Sequence, residues 1–318
     1  MALFLNEATV NDLITPAECV AVIDQCMHEA GRREAINLPR QRLRLPQGMF
    51  HMLAAAQPSQ GMFALKAYTA FKGKIRFRIF LYDQETGDML AVLEGDRLGQ
   101  MRTGAATAVA TRAMANPGIE RCGLFGTGFQ AEGQIEALAE VCSLKEVLVY
   151  ARNVERREEF CRRMSKRLQI NVRPVEDPAE AVLDMPLVTT ATTSKEPVFD
   201  GKLLASGAHV NAVGANLLIK REIDGATLRR ARRIVVDTVE GAKLESGALL
   251  QAIDAGRMQW GQVEELGDVM VGRVKGRDNP EDITLFHSLG MALWDTASAA
   301  FVYRKALEQG VGTDIPLT

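Results

Sequence analysis

The stretch 121-RCGLFGTGFQAEGQIEAL-138 constrains the fold of this chain more than any other. An apolar run leads into Gly126-x-Gly128-x-x-Ala131, and a segment of helical character follows. The spacing alone is weak. A strand before it and a helix after it are the context that dinucleotide binding requires. The first glycine permits a tight turn, the second lets the backbone approach a pyrophosphate, and the small third residue lets helix and strand pack closely. The helix N-terminus then offers free N–H groups and a partial positive charge to the phosphates. Strands and helices keep alternating beyond this point: EVLVYARN, ERREEFCRRMSKRL, NVRPVED, LVTTATTS, AHVNAVGAN and RIVVDTV. Near-continuous apolar strands separated by helices predict a parallel sheet covered on both faces.

The first third of the chain reads differently. Residues 8–31 carry helical periodicity, with starts at Thr9 and at the Thr15-Pro16 cap. From 36 to 95, MFHMLAAA, MFALKAYTAF, KIRFRIFLYD and DMLAVLEGD are short apolar runs separated by Pro, Gly and Asp. In KIRFRIFLYD, Ile75, Phe77, Ile79 and Leu81 alternate with arginines and Phe80, and DQETGD forms a turn. This predicts an antiparallel β region. A small-residue helix, 101-MRTGAATAVATRAM-114, follows and is broken by Asn116-Pro117. A last long apolar helix is expected over about 286–310, packing back on the first domain. The expected fold class is therefore α/β.

Composition closes off several functions. Lys and Arg number 38 against 40 Asp and Glu, so net charge is −2 and no bulk charge favours nucleic acid or an anionic membrane. No apolar stretch reaches the ~18 residues a membrane helix needs. The N-terminus lacks a basic region before its apolar residues, so no signal peptide is expected. The cysteines (Cys19, Cys26, Cys122, Cys142 and Cys161) form no CxxC pair, which fits a reduced, cytoplasmic compartment. The four histidines are scattered without ligand spacing, so no metal site is expected.

Several polar residues ask for a role. The second strand of the glycine-rich half ends at Tyr150-Ala151-Arg152-Asn153, where an NAD site usually carries an acid for the ribose hydroxyls. An arginine there suits a 2′-phosphate, so NADP(H) is expected over NAD(H), with NAD(H) still open. Lys66 sits mid-strand among apolar residues. Arg102, flanked by Thr103 and Gly104, stands at the expected start of the small-residue helix, where an anion can bind. Arg40, Arg42 and Arg44 alternate in PRQRLRLP and can share one strand face.

Together PRQR (39–42), ALKAYT (64–69), LEGDRLGQMRTGAATAVAT (93–111), GLFGTGFQA (123–131), AHVNAVGAN (208–216) and ITLFHSLGMALWDTASA (283–299) resemble the ornithine cyclodeaminase/mu-crystallin family over essentially the whole chain. The resemblance implies a Rossmann-type doubly wound parallel sheet over 117–289. It also implies a discontinuous α+β substrate-binding and dimerisation domain, made of 1–116 together with 290–318. It implies that Arg42, Lys66 and Arg102 hold a substrate carboxylate, with Arg40 and Arg44 as competitors of Arg42. Gly126, Thr127, Gly128, Phe129 and Gln130 would line the pyrophosphate, and Arg152 and Asn153 the adenosine ribose. Thr192 and Val213 would border the nicotinamide, with Ser288 and Leu289 closing the pocket. Arg102 and Thr103 are assigned to the cofactor as well.

One position departs from the family pattern. Cyclodeaminases of the family carry an aspartate in a "VGAD"-like turn, and this chain has Asn216. An amide donates and accepts hydrogen bonds but takes no proton at neutral pH. The expected activity is therefore nicotinamide-dependent reduction of a 2-imino acid, with Lys66 and Asn216 as the catalytic pair. Alternatives are an amino-acid dehydrogenase, ornithine cyclodeaminase, or a non-catalytic NADP(H) and small-ligand binding protein of mu-crystallin type. The expected partners are a small imino or amino acid and a second copy of the chain, in a homodimer.

Overall fold

The computed structural model describes residues 1–316. It divides into two compact units: Met1–Ala106 together with the chain from Met291 on, and Thr107–Gly290. The chain leaves the first unit inside a continuous helix, Asp96–Met114, and returns to it at Gly290. The sequence places these boundaries at 116/117 and 289/290; the first crossing lies earlier because the helix runs through it.

The first unit is built on a mostly antiparallel sheet of β1 (Ala2–Leu5), β2 (Ile36–Asn37), β3 (Gln41–Leu45), β4 (Gly48–Gln57), β5 (Met62–Phe71), β6 (Lys74–Asp83) and β7 (Met89–Glu94). A short strand, Thr313–Ile315, pairs with β1, and the order then runs β1-β7-β6-β5-β4-β2, with β3 also on β4. Strands β4 to β7 form a meander, whereas β1 joins β7 in parallel. The sheet's two faces differ. Leu53, Ala55, Ala64, Ile79, Leu81, Ala91 and Leu93 are buried on the face that packs the Ala292–Gln309 helix. On the other face Phe50, Met52, Phe63, Leu65, Phe80 and Val92 are half-buried, while Leu43 and Leu45 are exposed.

Two helices lie between β1 and β2. Thr15 and Glu18 cap the Pro16–Arg32 helix reciprocally, as the Thr-Pro start predicts. The first helix, Glu7–Leu13, starts earlier than Thr9: Asn6 is its cap and accepts from the Thr9 N–H. The last helix is shorter than expected. Residues 286–291 do not join it; Phe286 and His287 end a strand, and the helix is Ala292–Gln309.

The second unit is a parallel sheet of β8 (Arg121–Phe125), β9 (Glu146–Tyr150), β10 (Asn171–Pro174), β11 (Leu187–Thr190), β12 (His209–Ala212), β13 (Ala231–Val236), β14 (Val263–Glu265) and β15 (Ile283–His287). The order is β10-β9-β8-β11-β12-β15-β13-β14, with every pair parallel. Sequence order reverses between β8 and β11, the topological switch point at which open α/β sheets bind ligands. Each face has its own core. Ile135, Leu138, Phe160 and Met164 from the Phe129–Val141 and Val154–Leu168 helices cover Leu124, Val147 and Val149. Val188, Val210 and Leu285 pack with Leu228 and Leu249 on the opposite face. The doubly wound expectation holds.

Candidate active site

In the first unit, Lys66 on β5 points to the helix-covered face, its side chain 2% exposed. Its Nζ donates to Asp295 Oδ1 at 2.7 Å, and Arg102 Nε donates to the same oxygen at 3.0 Å. Asp295 is 1% exposed, and its Oδ2 is buried with no hydrogen-bond partner among the described residues. Two buried cations thus share one buried anion, leaving a net positive charge. Burial and the Arg102 charge lower the Lys66 ammonium to about 8, although Asp295 opposes them. Gly99 makes room for it, since an added Cβ would lie 3.3 Å from Nζ.

The same sheet face continues as a row of paired residues, Arg42–His51–Tyr68–Phe77. The His51 and Tyr68 rings stack at 4.1 Å, Tyr68 and Phe77 lie 4.8 Å apart, and Lys66 Nζ sits 4.8 Å over Phe77. Burial and the nearby Arg40 and Arg42 charges hold His51 down at about 4, so it is neutral at physiological pH. Arg40 and Arg42 are half-buried and Arg44 is exposed.

Arg102 does not begin a helix. The helix starts at Asp96, so Arg102 is in its second turn. The free N–H groups of that helix, on Asp96 and Arg97, go to the Glu7 carboxylate. The charge at Arg102 therefore acts through its guanidinium, not through a helix terminus. Thr103 donates its hydroxyl to Gly99 O at 2.7 Å.

In the second unit, the remaining expected residues all follow the carboxyl ends of parallel strands. Gly126 follows β8 with φ 109°, and an added Cβ would lie 2.5 Å from Ala191 O. Gly128 caps the Phe129–Val141 helix with no side-chain bond, and a Cβ there would meet nothing within 4 Å. Gln130 has a buried Oε1 without a partner among the described residues. A turn that only glycine can make, and free space beside Gly128 at a helix N-terminus, fit a dinucleotide pyrophosphate.

Arg152 and Asn153 follow β9. Arg152 is exposed, and Asn153 caps the next helix through the Arg156 N–H. Thr192 follows β11, and Val213, Gly214 and Asn216 follow β12. Ser288 and Leu289 follow β15 and are fixed by Asp237, whose Oδ2 accepts the Leu289 and Gly290 N–H groups at 2.6 Å each. Among the described residues no cluster of His, Cys, Asp or Glu could hold a metal ion, and no helix is long and apolar enough to cross a membrane.

The ornithine cyclodeaminase/mu-crystallin family model matches residues 10–310. The chain belongs to the ornithine cyclodeaminase/mu-crystallin family. It is 36% identical over 238 residues to the Delta(1)-pyrroline-2-carboxylate reductase of Bacillus cereus, covering 74% of this chain and 73% of that one. Among solved structures it is similar to the Thermococcus litoralis Delta(1)-pyrroline-2-carboxylate reductase in complex with NADH and L-proline. That match has a TM-score of 0.94 and 32% identity, and covers 98% of this chain and 100% of the other. An archaeal alanine dehydrogenase dimer with bound NAD matches with a TM-score of 0.94 at 29% identity, covering 100% of this chain and 99% of that one.

Sequence reasoning missed Asp295, Asp237 and Glu222. A signal for Asp295 was present: a lone acid inside MALWDTASAA, on an apolar helix, must be buried and needs a cation. Glu222 lies in KREID, where neighbouring charges hide it.

Proposed function

We propose that this protein is a nicotinamide-dependent reductase of 2-imino acids, converting an imine that bears a carboxylate into the 2-amino acid. The observation that carries the reading is the convergence of Lys66 and Arg102 on one oxygen of Asp295. Two buried cations on one anion leave a positive site that an incoming carboxylate neutralises. The relatives that reduce imines and bind NADH or L-proline support the same chemistry.

A reduced nicotinamide bound at the glycine turn would supply the hydride. Gly126 to Gln130 would hold its pyrophosphate, Arg152 and Asn153 its adenosine, and Thr192, Val213, Ser288 and Leu289 its nicotinamide side. Lys66, Arg102, Arg42 and Asn216 do the rest. Arg102 and Lys66, with Arg42, bind the substrate carboxylate. Lys66 Nζ carries a proton that it shares with the imine nitrogen, since a protonated imine is the better hydride acceptor. Asn216 orients the resulting N–H and takes no proton itself.

Two finer points belong to the same proposal. NADP(H) is the preferred cofactor, because Arg152 stands exposed where an acid would favour NAD(H). The protein is a cytoplasmic homodimer that joins through the open apolar face of its first sheet, in keeping with the alanine dehydrogenase dimer.

The test is a 340 nm assay of NADPH or NADH oxidation with cyclic ketimines, pyruvate plus methylamine, pyruvate plus ammonia, and oxaloacetate plus ammonia. Turnover with preformed imines is the expected result. Tight cofactor binding with silence across the panel would make this a binding protein instead.

A further inference from the structure

Glu222 is 1% exposed, and both its carboxylate oxygens are taken by backbone N–H groups. Oε1 accepts from Thr192 at 2.5 Å and Oε2 from Gly214 at 2.6 Å. Thr192 follows β11 and Gly214 follows β12, so one side chain ties the ends of two adjacent strands. The tie lies beyond the Val213 N–H to Thr190 O bond that extends the ladder, at 3.0 Å. Its neighbour Arg221 pairs elsewhere, with Glu196 at 2.9 Å. The backbone of Glu222 is fixed too: its carbonyl accepts from Val198 N at 2.9 Å. Nothing can be added at the junction, because a Cβ on Gly214 would lie 2.1 Å from Thr192 O and 2.5 Å from Glu222 Oε1.

Burial raises the Glu222 carboxyl above its ordinary value, and the two N–H bonds pull the other way, because a protonated carboxyl would turn an O–H donor toward an N–H donor. A buried carboxylate spent wholly on two strand ends costs desolvation, and strand pairing alone does not require it.

We propose that Glu222 is a positioning residue for hydride transfer, fixing Thr192 and the Val213–Asn216 turn on the nicotinamide side of the cofactor. The inference rests on the imine-reductase reading above. Transfer rates depend on alignment to within about an ångström. The pyrophosphate and adenosine groups are assigned to the ends of β8 and β9. Loss of the clamp should therefore affect chemistry more than cofactor binding.

The decisive variant is Glu222→Gln. It keeps the volume, accepts one N–H, and turns an NH₂ donor against the other. Three quantities are measured: amide hydrogen exchange at Thr192 and Gly214 without cofactor, cofactor Kd by nicotinamide fluorescence, and single-turnover hydride transfer. The expected result is at least tenfold faster exchange at one or both amides. Kd should stay within threefold, and transfer should slow at least twentyfold. Unchanged transfer would overturn the proposal. So would a loss of transfer that only follows lost cofactor affinity and a lowered Tm. Should Glu222→Gln fail to fold, Glu222→Asp, one methylene too short to reach both amides, is read by the same criteria. If the parent protein reduces no imine, the functional reading fails. Exchange and the emission of bound reduced nicotinamide then decide the clamp, and values unchanged in the variant refute it.

Discussion

Lys66 shows how a single buried residue sets a pH dependence. Its ammonium is held at about 8, below its ordinary value of 10.5, by burial and by Arg102. The folded protein therefore binds fewer protons than the unfolded chain between about pH 8 and pH 10.5. The penalty of this charge is full below pH 8 and is relieved as pH rises through that window. Activity runs the other way. If the protonated amine holds the carboxylate and shares its proton, kcat/KM falls as pH climbs through about 8. Asp295 raises the lysine, as does its hydrogen bond; Arg102 and Arg40 lower it. Removing the anion in Asp295→Asn should move the descending limb to lower pH and cut kcat/KM by about 2 to 5 kcal/mol, the range for breaking a buried charge pair. A pH–rate profile checks both, and a limb that stays in place would show that another group titrates. Asn216 carries a second prediction. Cyclodeamination of ornithine needs a base near the working pH, and an amide is none. Incubation of pure protein with L-ornithine and NADP⁺ or NAD⁺ should yield no proline by amino-acid analysis, while imine reduction proceeds.

At the scale of elements, the strand–turn–helix at 121–141 makes the cofactor reading testable. Arg152 follows β9, exposed and ahead of the Asn153 cap. A 2′-phosphate paired with it gains a charge-assisted contact of about 1.5 to 3 kcal/mol. Arg152→Ala should therefore raise the KM for NADPH roughly 10- to 100-fold and barely change that for NADH. Equal effects on both cofactors would return the choice to NAD(H). The elements themselves were legible where periodicity was strong. Six of the eight parallel strands follow from apolar runs, and β4 to β7 from short apolar runs between turn residues; β14 is only three residues long, and the end of β15 reads as the start of the last helix. The 96–114 helix was misjudged at its start. Four of its first five residues are polar or glycine, and the carboxylate that caps it comes from Glu7, some 90 positions away. A tertiary cap leaves no local mark. The same holds for the site. Lys66 and Arg102 could be singled out as cations among apolar neighbours, but no spacing joins either to Asp295, 229 and 193 positions away.

At the scale of the molecule, the first unit's sheet has one face under the Ala292–Gln309 helix and one face open. The open face gathers Phe50, Met52, Phe63, Leu65, Phe80 and Val92, with Leu43 52% and Leu45 43% exposed at its border. Monomers rarely leave a contiguous apolar sheet face to water. A twofold interface buries such a face against itself, since the same patch serves both copies. Light scattering should report about 70 kDa, twice the 34.8 kDa chain. Leu65→Arg, set in the middle of the face, should shift the protein toward monomer. A species that stays at the monomer mass at micromolar concentration would remove the interface.

The route of the chain through its two units also dictates an order of events during synthesis. The parallel-sheet unit is one uninterrupted segment, and all of its residues have been made once Gly290 is added. The first unit is made earlier but cannot close. Lys66 and Arg102 wait, two positive charges bound for a buried position, until Asp295 arrives with the Ala292–Gln309 helix. A nascent chain arrested before that helix would hold a half-built anion site with no internal anion. The carboxylate that opposes the lowering of the Lys66 ammonium is thus also what closes the ion triad of the first unit.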